Sequence, residues 1–185
     1  FKGTERRSAA GIAEGIDNIG GQINAFTAKE CTCFYTKTLD EHIEIAVDIL
    51  SDMLFNSLYA NRDIAVERKV VMEEIGMYED TPEELVHDDL SETVWNGSAI
   101  GYPILGTRKS LKGINREMIL EYLKAHYIPC NTVISAVGNF DEAKLAELME
   151  KYFGKWTSVA GGTAGNEAVA FKPDISIRGK KTEQI

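Results

Sequence analysis

The chain has 185 residues, 44% of them hydrophobic, which suits one domain with a full core and the beginning of another. Its formal net charge of -9 and pI of about 4.9 argue against nucleic acid, which wants clustered basic residues, and suit a basic peptide partner. No apolar run approaches the roughly 20 residues that span a bilayer, and no signal peptide is visible.

In chain order, Ser8 to Ile19 reads as a helix with Ala9, Ile12, Ala13, Ile16 and Ile19 as its stripe, Ser8 as N-cap and Gly20-Gly21 as its stop. Ile23 to Thr38 is rich in β-branched and aromatic residues and reads as strand, with Lys29-Glu30 marking a tight turn between two strands. Asp40 to Phe55 is amphipathic, with Ile43, Ala46, Val47, Leu50, Met53 and Leu54 facing in. A helix from Asn61 to about Glu79 follows. Thr81-Pro82-Glu83-Glu84 starts another, with Thr81 as cap, Pro82 in the first turn and Glu84 completing a capping box, and it runs to about Trp95. Ser98 to Gly113 is loop-rich, and Asn115 to Tyr127 is helical. Thr132 to Val137 suits a buried strand, and Asp141 to Phe153 is a last amphipathic helix. Residues 158–166 read as a connection, and 169–185 as linker plus a new strand. The fold class this pattern predicts is α+β, with helices packed on a sheet.

Cys31, Cys33 and Cys130 make a poor disulfide framework, being odd in number with two of them one residue apart on a predicted strand. A reducing cytosol is the expected setting. The chain starts at Phe1 without Met and ends at Gln184-Ile185 inside an apparent strand, and it reads as part of something longer.

The Asn61–Glu79 helix carries the chemistry. At 3.6 residues per turn, Ile64, Glu67, Val71, Glu74 and Tyr78 stack on one side, with Val70 and Ile75 flanking, while Arg68, Lys69, Glu73 and Glu79 point elsewhere. A carboxylate facing a core is costly unless it is paired, hydrogen-bonded or bound to a metal. Two readings stand at this point: a slightly misphased solvated helix in an acidic protein, or a metal ligand with a second carboxylate beside it. His42, His87 and His126 form no HxxxH, HExxH or HxxEH and read as surface or helix-end residues. No nucleophile elbow or phosphate-cradling glycine loop occurs.

Several short segments carry a resemblance when taken in order. Phe1-Lys-Gly-Thr4, Ile19-Gly-Gly21 and Asn24-Ala-Phe-Thr27-Ala-Lys-Glu30 come first. Glu67-Arg68-x-Val-Val-x-Glu-Glu74 and Glu83-Glu84-x-Val-x-Asp88 follow. Pro103-Ile-Leu-Gly106, Tyr127-x-Pro129-x-Asn131 and Val137-Gly-Asn139 complete the set. Each is weak alone, but together they cover nearly the whole chain and resemble the pitrilysin/insulinase/mitochondrial processing peptidase family, nearest in flavour to a bacterial processing-peptidase-like zinc protease. The resemblance implies an inverted zinc motif, H-x-x-E-H, whose histidines bind zinc and whose glutamate is the general base, with a distant glutamate as third ligand. In relatives that motif lies a few residues before the match to Phe1-Lys-Gly-Thr4, so this chain is expected to begin just after it.

By the same resemblance Glu74 is the third metal ligand and Glu67 a second helix glutamate that assists catalysis. Asn24, Ala25 and Phe26 match the edge strand to which an extended peptide adds, although Phe26 read alone fits a core strand equally well. Glu84 and Asp88, one turn apart on the face away from Val86, Leu90 and Thr93, match acidic positions that receive a substrate arginine. Read alone, they are a solvated face plus a cap.

The family pattern implies that residues 1–157 are an N-terminal peptidase half-domain, lacking its first strand and zinc helix. Residues 158–185 are then linker and first strand of the next half-domain, with Lys180 to Ile185 opening that strand. The expected parent is a bacterial, cytoplasmic zinc metalloendopeptidase that cleaves extended peptides. Whether this chain is itself an enzyme is left open by the sequence, and the fragment is expected to be inactive and to hold no Zn2+, because both histidines and the base are absent. The alternative is a non-catalytic peptide-binding or scaffold subunit of the same family. Expected partners are a peptide, possibly basic, the second half-domain of the parent, and a homo- or hetero-oligomer formed over an unpaired sheet edge. Neither nucleic acid nor membrane is expected.

Overall fold

A computed structural model describes residues 1–157, 171 and 173–179. The expectations for 158–170 and for the strand at 180–185 lie outside the described residues, and 171 and 173–179 form neither helix nor strand. The elements are α1 (Ala9–Asp17), β1 (Gln22–Thr27), β2 (Thr32–Lys37), α2 (Ile43–Asn56), α3 (Asn61–Asp80), α4 (Pro82–Val94), α5 (Arg108–Gly113), α6 (Arg116–His126) and α7 (Glu142–Phe153). The architecture is α+β: helices and a two-stranded antiparallel sheet.

The chain divides into two compact units. The first comprises the described residues of 1–27, 32–60 and 116–164. Its α1 forms as the sequence predicts: the Ser8 side chain accepts from the Gly11 N–H, and Gly20 at φ +63° lets the chain turn out of the helix. β1 and β2 pair in register from Gln22 opposite Lys37 to Thr27 opposite Thr32. Side chains alternate along a strand, so Ile23 packs against the buried cluster of Ile12, Ile16, Ile49 and Met53, while Phe26 and Tyr35 face outward. Helices therefore cover one face of the hairpin. α7 packs on α2 through Phe55 against Phe153 and Trp156, and Lys151 donates to Glu44 at 2.7 Å.

The sequence reading of α2 finds Ala46, Val47 and Met53 on the inner face but not Ile49 or Asp52, which are also buried. Asp52 is 0% exposed. It accepts from the Thr4 hydroxyl at 2.7 Å, from Arg7 Nη1 at 2.7 Å and from Asn56 Nδ2 at 2.9 Å. Burial opposes the charge, but the hydrogen bonds from Thr4, Asn56 and Arg7 outweigh it, so the carboxyl titrates below its usual range. Burial likewise acts against the Arg7 cation, and its bonds to Asp52 and Asp48 win, raising its pKa further. Residues 3–8 are thereby clamped onto α2, with Glu5 N–H donating to Asn56 O and Leu58 N–H to Gly3 O.

One expectation in this unit is overturned. Thr132–Val137 is neither strand nor buried: Val133 is 92% and Val137 96% exposed. A β-branched run favours extended backbone, but a strand also needs a neighbour to complete its hydrogen bonds, and no described residue supplies one.

The second unit comprises the described residues of 28–31, 61–115 and 165–185. α3 packs on α4 and α5. Pro82 opens α4 as predicted, but the capping box does not form, because the Thr81 hydroxyl donates to Met77 O at 2.9 Å instead. A true capping box lies in the segment read as loop: Thr107 and Ser110 bond reciprocally and start α5.

Candidate functional site

The inner face of α3 is Ile64, Arg68, Val71, Met72 and Ile75, of which Ile75 is buried. Glu67 and Glu74 are both exposed. The expectation that they stand in the middle of the buried face is therefore corrected. Two apolar stripes run along this helix, one through Ile64, Val71 and Ile75 and one through Val66, Val70 and Met77, and the glutamates border both. Periodicity alone cannot say which stripe is covered; in the fold the second stays exposed. Arg68, expected to point away, takes an inner position instead. Its Nε donates to Leu111 O at 3.1 Å and its Nη2 to Ile114 O at 2.5 Å, satisfying carbonyls at the end of α5.

Glu84 and Asp88 lie on α4 in the same unit. Glu84 is exposed and Asp88 half-buried, and the helix turns Val86 and Leu90 outward, the reverse of the expected orientation. Lys29 Nζ stands 3.6 Å from Asp88 Oδ1 and donates to Tyr102 O at 2.6 Å. Arg178 Nη1 lies 2.9 Å from Asp89 Oδ1. These counter-charges were missed by sequence reasoning: Lys29 was read only as a turn residue, and the spacing to Arg178 carries no local signal.

Asn24, Ala25 and Phe26 lie on β1 in the first unit, and the acidic residues belong to the second. β1 pairs only with β2 among the described residues, so its other edge carries no strand. Asn24 Oδ1 accepts from the Ala25 N–H at 2.8 Å. Phe26 is 53% exposed and tilts against Tyr35 with ring centroids 6.4 Å apart, which removes the core reading of Phe26. An open strand edge beside an outward aromatic pair can add an extended peptide through backbone hydrogen bonds.

Among the described residues no group of three or more His, Cys, Asp or Glu could hold a metal ion. His42 lies 3.5 Å from Glu41 and His126 stacks on Tyr122 at 4.4 Å. A zinc site takes at least three protein ligands, so the described residues do not fit one unaided.

The comparisons with known proteins cover both parts of the chain. Residues 1–108 match the family model described as Insulinase (Peptidase family M16), and residues 113–184 match the one described as Peptidase M16 inactive domain. The "Uncharacterized zinc protease YmxG" of Bacillus subtilis is 44% identical over 184 residues, covering 100% of this chain and 44% of that protein. A protein of Streptomyces coelicolor, also named as a zinc protease, is 38% identical over 191 residues, covering 100% and 42%. The chain thus spans less than half the length of these relatives. In fold it is similar to a protease from Helicobacter pylori, with TM-score 0.85 at 18% identity over 93% of this chain and 42% of that one. A peptidase M16 inactive domain from Pseudomonas fluorescens gives 0.77 at 14%, over 88% and 40%. The family models and the identity with named zinc proteases agree with the ordered motifs, and the chain belongs to the insulinase family, peptidase family M16.

Proposed function

We propose that this chain is the peptide-docking and glutamate-bearing portion of a longer zinc metalloendopeptidase that cleaves extended peptides. The observation that carries the reading is similarity over the whole of this chain, and under half of theirs, to relatives named as zinc proteases. Glu74 supplies one metal ligand. Glu67, two helical turns away on the same side of α3, about 10 Å along the axis, assists from outside the ligand set. Glu74 is exposed, so a metal ion held by residues from outside this chain can reach its carboxylate. β1 receives the peptide, and Glu84 with Asp88 forms the acidic receptor for a substrate guanidinium, Lys29 being displaced from Asp88 as the substrate arrives. The remaining ligands and the general base come from an H-x-x-E-H segment upstream of Phe1. The 185 residues alone are inactive and hold no zinc. Residues 1–157 form one half-domain and 158–185 lead into the next. Cys31, Cys33 and Cys130 form no disulfide with one another, which suits a bacterial cytosol.

The test restores the upstream segment from the parent gene and measures zinc content and cleavage of an arginine-containing peptide. Glu74→Gln is expected to lower bound zinc at least about tenfold. Unchanged zinc in that variant refutes the ligand assignment. Glu67→Gln is expected to keep zinc and lower turnover.

A second reading, a non-catalytic scaffold subunit, is favoured by the match of residues 113–184 to a domain described as inactive. The upstream sequence decides: H-x-x-E-H supports the protease, and its absence supports the scaffold.

A further inference from the structure

Two contacts tie the stretch from Phe171 to Arg178 to α4, both within the second unit. The Phe171 ring meets Trp95, the residue that closes α4, edge to face with centroids 6.2 Å apart. Arg178 Nη1 lies 2.9 Å from Oδ1 of the half-buried Asp89. Asp89 precedes Trp95 by about 9 Å along the helix axis, so the stretch runs antiparallel to α4. Between the two anchors Ile175 and Ile177 are almost fully exposed. Among the described residues no hydrogen bond joins 173–177 to α4, and the Ile175 N–H donates to Asp174 Oδ1 of its own segment.

We propose that this stretch is an autoinhibitory strap: Arg178 occupies the acidic helix α4 and has to leave before a basic peptide engages it. The inference rests on the proposal that Glu84 and Asp88 take a substrate guanidinium. Consecutive aspartates of α4 each hold a cation of this chain, Asp88 with Lys29 and Asp89 with Arg178. A guanidinium on Asp89 removes one negative charge from the helix and repels a second cation arriving at Asp88 beside it. The hold is weak enough to be reversed. It consists of one exposed ion pair, which salt screens, and one ring edge. Ile175 and Ile177, whose burial would make the contact permanent, stay in water.

The test uses the 185-residue chain carrying Trp156→Phe, so that Trp95 is its one tryptophan. Acrylamide quenching of Trp95 reads the strap, and the anisotropy of a fluorescein-labelled octapeptide with a central Arg reads α4. Arg178→Gln and Phe171→Ala are each expected to raise the quenching and to tighten the peptide about threefold, the size of one exposed ion pair or ring contact. The gain from Arg178→Gln should shrink with added salt. The charge-swapped variant Asp89→Arg/Arg178→Asp should bring quenching back to that of the starting chain, which a segment with no specific partner would not do. Quenching that Arg178→Gln and Phe171→Ala both leave unchanged overturns the strap. Raised quenching without a gain in peptide affinity overturns the autoinhibition. Peptide affinity that Glu84→Gln/Asp88→Asn leaves unchanged refutes instead the acidic receptor on which the inference rests, and a peptide that binds no variant refutes both.

Discussion

Asp52 shows how a single carboxylate can organise the start of a chain. Nothing local distinguishes it in the sequence, since its partners Thr4 and Arg7 are more than forty residues away. Replacing it by Ala removes the acceptor shared by Thr4, Arg7 and Asn56, while Arg7 keeps its pairing with Asp48. Asp52→Ala is predicted to destabilise the chain by about 2–3 kcal/mol in urea unfolding. Its folded pKa lies below the unfolded value of about 3.9. Its stabilisation is therefore fully present above that value and is lost as pH falls through the lower folded one. Unfolding of Asp52→Ala should accordingly be less sensitive to acid than that of the parent sequence in this range. Arg68 is a second case. Arg68→Met strands the carbonyls of Leu111 and Ile114, and a loss of about 2 kcal/mol is expected. Glu74→Gln in the 185-residue chain should move stability by less than about 0.5 kcal/mol, because the side chain is exposed.

Elements were legible where the signal is local. The Ser8 cap, the Gly20 turn and the Lys29-Glu30 hairpin turn mark their helix and strands correctly, because each works through neighbours within four residues. The failures share a cause. The rotation of α3 depends on what packs against it, and Thr132–Val137 depends on whether another strand lies alongside. Thr81 had two acceptable partners, and the backbone carbonyl of Met77 won. These differences are measurable. Thr107→Ala, which removes a formed capping box, should cost about 1 kcal/mol, and Thr81→Ala less. In this chain Val133→Lys should change stability by under about 0.5 kcal/mol, whereas Ile12→Ala should cost about 2–5 kcal/mol.

For the assembled protein, the exposed apolar side chains predict association. Met77 at 70%, Val133 at 92% and Val137 at 96% exposure leave large hydrocarbon surfaces in water. Light scattering on the 185-residue chain is expected to give a mass above 20.5 kDa, and a clean monomer would refute this. Family membership was readable before any coordinates, because ordered short motifs survive as identities in the chain: Asn24-Ala-Phe-Thr27, Glu67 with Glu74, and Glu83-Glu84-x-Val-x-Asp88 stand at recognisable intervals. Composition and periodicity likewise specified the α+β class and the helix-forming segments, since both follow from interactions between near neighbours. Three-dimensional packing settled the remainder: which stripe of α3 is covered, that Glu67 and Glu74 face outward, that Asp52 is buried and bonded to Arg7, and that Lys29 pairs with Asp88. Each of these depends on free-energy differences between contacts made by residues far apart along the chain, which no local pattern encodes.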